Sequence, residues 1–221
     1  MSNYTDLIYP EDINNTYPEK LCQYVSDRFF KTGGKLLDLG CNKGTHFRKF
    51  ESLGFDCYGV DIRKDIESDK VSICNIEKDK LPFDKNTFDF VWSKSVIEHV
   101  SNADNLLNEV YRVLKPGGVC VLMTPDWESQ MSHFWDDYTH VKAWTGKSLA
   151  NALRMKGFDA VCEKFYQLPF IWKNPQLKII PRILSVCPQS WKWKDKSMSN
   201  GKDRKLIRFS KEQMLLAWGT K

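Results

Sequence analysis

The sequence lacks an apolar run long enough to cross a membrane, because Lys, Asp or Gly interrupts its hydrophobic stretches within a few residues. Its first residues, MSNYTDLIYPED, carry neither the basic segment nor the apolar core of a secretion signal. A cytoplasmic chain with no membrane span is therefore expected. No C-x-x-C pair occurs among the seven cysteines at 22, 41, 57, 74, 120, 162 and 187. An odd, scattered set inside apolar runs such as VCVL fits reduced thiols acting as small core residues, so neither a disulfide framework nor a metal site is expected. Internal repeats and low-complexity segments are missing too, which excludes solenoids, collagen-like chains and coiled coils.

What is present is the material of one well-cored domain. The chain has 221 residues, 42% of them apolar and 13% aromatic, enough to bury a core despite a mean hydropathy of -0.48. The formal charge is only +5, too mild to imply a nucleic-acid partner, but its distribution is uneven. Residues 167–211 hold eight Lys and three Arg against two Asp, a net +9, which leaves the remainder at -4.

Hydrophobic periodicity predicts alternating elements. Residues 18–30 read as a helix opened by Pro18 and closed by Gly33 and Gly34. A strand at 35–40, a helix at 45–53 and strands at 57–60, 71–74 and 87–92 follow. A helix at 103–114 runs into a Lys115-Pro116-Gly117-Gly118 turn and a fifth strand at 119–124. A helix at 148–156, a sixth strand at 158–166 and a last strand at 212–219 complete the reading. The expected fold is α/β: a Rossmann-like, doubly wound, seven-stranded and mostly parallel sheet, with an insertion before the last strand. The single domain spans 1–221, and the basic, Trp- and Pro-containing segment 167–211 is expected to act as a substrate cap.

The chemistry is expected along the edge formed by the strand C-termini. There, Asp38-Leu39-Gly40-Cys41-Asn42-Lys43-Gly44 leads from the first strand into a helix. A dinucleotide fingerprint would need G-x-G-x-x-G, but Asn stands at 42 and an acid precedes the first Gly. A carboxylate there repels a pyrophosphate and suits a cationic ligand. Asp61, ending the second strand, can accept from two ribose hydroxyls. Alternatively, Asp38 caps the following helix and Asp61 is a turn acid.

At LLDLGCNKG, YGVDI, LPFDKNTFDFVWS with SVIEHV, and EVYRVLKPGGVCVLMTP, the chain resembles the class I S-adenosylmethionine (SAM)-dependent methyltransferases of small-molecule type, over roughly 18–166 plus the final strand. The resemblance implies SAM as cofactor and S-adenosylhomocysteine as product. It places Asp38, Gly40, Cys41, Asn42 and Gly44 around the methionine part, Asp61 on the ribose, Ile62 against the adenine face, Asn75 and Ile76 at the adenine edge, and Ser93 near the sulfonium. Asn42 departs from the commoner Gly but tolerates a left-handed backbone.

On the acceptor side, His140 is the leading base candidate, with His99 near the cofactor rim and Tyr138 as a hydrogen-bonding partner. His140 and Tyr138 lie in the aromatic segment WESQMSHFWDDYTHVKAWT, while His46 reads as structural. Asp136 and Asp137 read as capping or orienting. The basic insertion, with Trp172, Trp191 and Trp193 among Lys192, Lys194 and Lys196, suggests an anionic acceptor: a phosphorylated or nucleotide-activated sugar, a phosphonate or a phosphate ester. The bland alternative is a solvated face whose tryptophans pack on the domain.

RNA methylation is the runner-up, disfavoured because strand four ends in VWSK and not in the N/D-P-P-Y tetrad of base amino methyltransferases. A non-catalytic SAM-binding subunit remains open, and an NAD-dependent oxidoreductase is disfavoured by Asn42 and Asp38. The sequence leaves the oligomeric state open.

Overall fold

A computed structural model describes residues 16–31, 33–63, 65–188, 191 and 205–221. Seven strands form one sheet: β1 Lys35–Leu39, β2 Asp56–Asp61, β3 Val71–Ile73, β4 Phe88–Lys94, β5 Leu114–Pro125, β6 Asp159–Phe165 and β7 Met214–Thr220. Their order is β3-β2-β1-β4-β5-β7-β6. All pairings are parallel except those of β7, which runs antiparallel to β5 and β6. Strand order reverses between β1 and β4, so a crevice opens beyond their C-termini.

Helices cover both faces, which is why the central strands are almost continuously apolar. On one face α1 (Tyr17–Val25) and α2 (Thr45–Ser52) bury Leu21, Val25, Phe47 and Phe50 against Leu36, Trp92 and Val121. On the other, α3 (Ala103–Val113) buries Leu106, Leu107 and Val110 against Leu37 and Val91. The Asn102 side chain caps α3 by accepting from the Asn105 N–H at 3.2 Å. Each fully buried Leu or Phe of this kind contributes about 1.5–3 kcal/mol.

Two expectations are refined. The predicted first helix is α-helical only to Val25, and Ser26–Phe30 forms a π turn. The wider turn lets Phe30 bury against Phe50, Phe55 and Phe90 while its neighbour Phe29 meets Trp218. The Lys115–Gly118 turn lies within β5 rather than before it. The Gly117 N–H donates to the Lys221 carbonyl at 2.8 Å and the Lys221 N–H to the Gly118 carbonyl at 3.0 Å, so the chain end completes the ladder. An irregularity between Phe88 and Phe90 absorbs the extra residues.

Between β6 and β7 lie α4 (Pro169–Lys173), α5 (Ile179–Leu184) and α6 (Lys205–Lys211). Trp172 packs on Tyr24 and Phe165, each at 5.1 Å between ring centroids, and its Nε1–H donates to the Tyr166 carbonyl. That tryptophan is an anchor for the insertion. The Lys211 ammonium donates to the carbonyls of Ser185 and Cys187, tying α6 to the end of α5. Lys192, Trp193, Lys194, Lys196 and Arg204 lie outside the described residues.

Candidate active site

The turn after β1 is shaped by three left-handed residues: Gly40 at φ +80°, Asn42 at +44° and Gly44 at +79°. At Gly40 a Cβ would approach the Val96 side chain to 2.3 Å, and at Gly44 it would meet Ile66 at 2.7 Å. Glycine is therefore demanded twice over, by conformation and by space. Val96, which follows β4, thus presses directly on the turn after β1. Both amides of Gly40 and Cys41 donate to the Val60 carbonyl, at 2.8 and 3.1 Å, which fixes the turn against β2. The Asn42 N–H donates to Asp61 Oδ2 at 2.9 Å.

Asp38 sits under this turn, 3% exposed. The Phe47 N–H in the first turn of α2 favours the ionised form of its carboxyl, though no side chain caps that helix by a hydrogen bond. Oδ2, however, is buried without a partner among the described residues. Burial, the facing Asp61 carboxylate and only one compensating bond push its pKa up to about 7. A buried acid with an orphaned oxygen is a costly arrangement that a cationic ligand would relieve. Asn42 likewise keeps its side-chain oxygen buried and without a partner among the described residues.

Around this centre the other expected cofactor positions line the same strand edge. Asp61 ends β2, and its Oδ1 also accepts weakly from the Arg63 N–H at 3.3 Å, leaving lone pairs on both oxygens. Ile62 beside it is 64% exposed, a large apolar side chain left mostly uncovered by the described residues. The Cys41 thiol is buried and pushed well above its ordinary pKa by that burial, which makes it a packing group. It touches the space a Cβ on Gly59 would need. Asn75 forms a local turn: its Oδ1 accepts from the Glu77 N–H at 3.1 Å and its N–H donates to Asp79. Ile76 is held through its carbonyl by Asn105. Ser93 is buried and its hydroxyl donates to the Leu39 carbonyl at 2.8 Å, tying β4 to β1.

Beyond β4 and β5, a second cluster gathers residues from two distant segments. His99, ending the short 3-10 turn Ile97–His99, lies 4.8 Å from His140 between ring centroids. His140 Nδ1 is 2.6 Å from the Phe134 carbonyl, so that nitrogen carries the proton. His99 Nδ1 faces the Thr139 carbonyl at 3.1 Å and Thr139 Oγ1 at 3.0 Å. The Thr139 hydroxyl gives its proton to Asp137 Oδ1 at 2.6 Å, so His99 Nδ1 must also be the donor. Both rings therefore present a bare Nε2 when neutral. Burial pushes the His99 pKa down, so neutrality is its resting state.

Glu98 was visible in the sequence only as part of SVIEHV, yet it is 1% exposed at the floor of this cluster. Thr124 at the end of β5 donates to its Oε2 at 2.8 Å, and burial pushes its pKa up to about 7. The sequence signal was there: an acid directly before His99, and an Asp-x-x-His spacing at Asp137 and His140. Tyr138, by contrast, is 75% exposed. His46 is half-buried edge-on against Trp92 at 5.7 Å, and desolvation pushes its pKa down to about 3.

Comparison with known proteins bears on the family and the fold. The model of a methyltransferase domain family matches residues 13–163. Phosphoethanolamine N-methyltransferase 2 of Caenorhabditis elegans is 27% identical over 133 residues, covering 54% of this chain and 30% of that one. The chain thus spans less than a third of that relative's length. An uncharacterized protein of Methanocaldococcus jannaschii is 28% identical over 216 residues, covering 90% of this chain and 91% of that one. A solved SAM-dependent methyltransferase of Archaeoglobus fulgidus shares the fold at TM-score 0.66 and 19% identity, covering 99% and 98% of the two chains. No helix among the described residues is long and apolar enough to cross a membrane. With the family model running across most of the chain and into β6, the protein belongs to the methyltransferase-domain family.

Proposed function

We propose that the chain binds SAM at the turn after β1 and transfers its methyl group to an oxygen of a small anionic acceptor. The observation that carries the cofactor assignment is the orphaned Asp38 oxygen beneath a left-handed turn. In this reading Asp38 pairs with the ammonium of the methionine part, and the turn Gly40–Cys41–Asn42–Gly44 lets the backbone approach it. Asp61 accepts from the ribose hydroxyls, Ile62 covers an adenine face, and Asn75 with Ile76 meets the adenine edge. Ser93 stands near the sulfonium through its remaining lone pairs. When bound, SAM supplies an activated methyl group for in-line displacement, so the protein's tasks are alignment and exclusion of water.

On the acceptor side the proposal uses His140 and His99, with Tyr138 as an exposed hydroxyl at the rim. His140, its Nδ1–H fixed on a carbonyl, presents Nε2 to take a proton from an acceptor hydroxyl. The anionic class rests on the net +9 of residues 167–211, proposed as a cap over the crevice. The name of the C. elegans relative gives a phosphorylated amine as its acceptor, in keeping with such a class.

Asp61→Ala tests the cofactor half. The loss of a charge-assisted pair of bonds should weaken SAM by about 1.5–3 kcal/mol per interaction, read by calorimetry. Because Asp61 also holds the Asn42 N–H, Asp61→Asn, which keeps an acceptor, should lose less. Unchanged affinity in a folded Asp61→Ala protein would refute the assignment.

A further inference from the structure

Glu98, His99 and His140 each offer one ligand atom, and the three atoms lie within 4.8 Å of one another. We propose that this cluster is a binding site for one divalent transition-metal cation of the zinc class, held at the acceptor end of the crevice. Three observations beyond proximity support it. Glu98 Oε1 is buried and lacks a hydrogen-bond partner among the described residues. Its other oxygen is fixed by Thr124. Both histidines are held in the tautomer that frees Nε2, each by a backbone carbonyl on Nδ1, which is the outer-shell support that metal-bound imidazoles characteristically have.

The chemistry of the donor set selects the cation. Two imidazoles and one carboxylate suit zinc, cobalt, iron or manganese, whereas magnesium and calcium want an all-oxygen shell. Ligand bonds of about 2.0–2.2 Å in tetrahedral array put donor atoms roughly 3.4 Å apart. The observed spacing, within 4.8 Å, is wider than that of a loaded site, so binding would draw the three side chains together. Asp137 Oδ2, 3.9 Å from His140 Nε2, is a second carboxylate beside the three ligands. Lys94 is the charge that opposes a cation here, acting on Glu98 from the end of β4. A cation held by three ligands would keep coordination positions for an acceptor oxygen, which it would polarise in place of a free His140 base. The site stands independently of SAM binding, since no ligand comes from the turn after β1.

The test is a titration of the metal-stripped full-length protein with zinc by calorimetry and with cobalt by visible absorption, without SAM. One equivalent per chain is expected, with a cobalt spectrum of low-coordinate nitrogen and oxygen ligation. His140→Ala and Glu98→Gln should each weaken binding more than about tenfold, while His133→Ala, outside the cluster, should not. If Glu98→Gln fails to fold by circular dichroism, His140→Ala carries the comparison. Absence of saturable binding, or equal binding by wild type and His140→Ala, overturns the site. SAM titrated in the presence of chelator separates the two readings: SAM binding without metal binding removes the cation site alone, and metal binding without SAM binding removes only the cofactor assignment.

Discussion

Asp38→Asn should make the protein more stable and nearly abolish SAM binding. The folded pKa of Asp38, about 7, lies above the ordinary value of about 3.9. The folded state therefore holds a proton that the unfolded state has lost, and the acid costs stability as pH rises from about 4 to about 7. Above that window the full cost, on the order of 2–4 kcal/mol, is present. A neutral amide removes it, so the gain in melting temperature should be large at pH 8 and small at pH 4. Binding moves the other way, because breaking a buried charge pair costs about 2–5 kcal/mol, roughly thirtyfold or more in affinity. Wild-type affinity should rise with pH up to about 7 as the carboxylate ionises, then level off with respect to this group. Asp38→Asn should lack that dependence. Thermal melts and calorimetry across pH check both signs, and a destabilised variant with intact SAM binding would make Asp38 a structural acid alone.

His140→Ala should lower turnover roughly 10²–10⁴-fold with SAM affinity nearly unchanged. The imidazole stacks on Phe134 at 4.3 Å between centroids, so truncation also removes packing. His140→Gln retains more of that contact and isolates the lost nitrogen. A drop in kcat shared by both variants, with SAM affinity kept, marks loss of the Nε2 proton acceptor. Near-normal turnover would exclude both base and metal-ligand roles and leave an acceptor oxygen that is already ionised.

The Asp38–Gly44 turn and Asp61 were legible in the sequence because strand, glycine and helix signals are local and adjacent. The alternation of strands and helices likewise sufficed for the parallel sheet. Less legible were features made by distant residues meeting. Nothing local says that Lys221 pairs with Gly117, so the KPGG turn could not be placed inside β5. The π turn at Ser26–Phe30 answers to the packing of Phe30 on β4 and α2, not to periodicity. The Glu98–His99–His140 cluster spans some forty positions and rests on carbonyls that carry no side-chain signature. Trp172, read among the cap residues, proved to pack on α1 and β6.

Transfer of labelled methyl groups from SAM to matched pairs of phosphorylated and dephosphorylated small acceptors, with RNA alongside, tests the account most directly. Label should appear in the phosphorylated members, disappear with Asp38→Asn, and favour the anion most at low salt. Screening over about 8 Å at physiological ionic strength should erode that preference. Equal kcat/KM for charged and neutral partners would contradict the anionic acceptor, label in RNA alone would contradict the small-molecule class, and SAM binding without transfer to any acceptor would contradict catalysis.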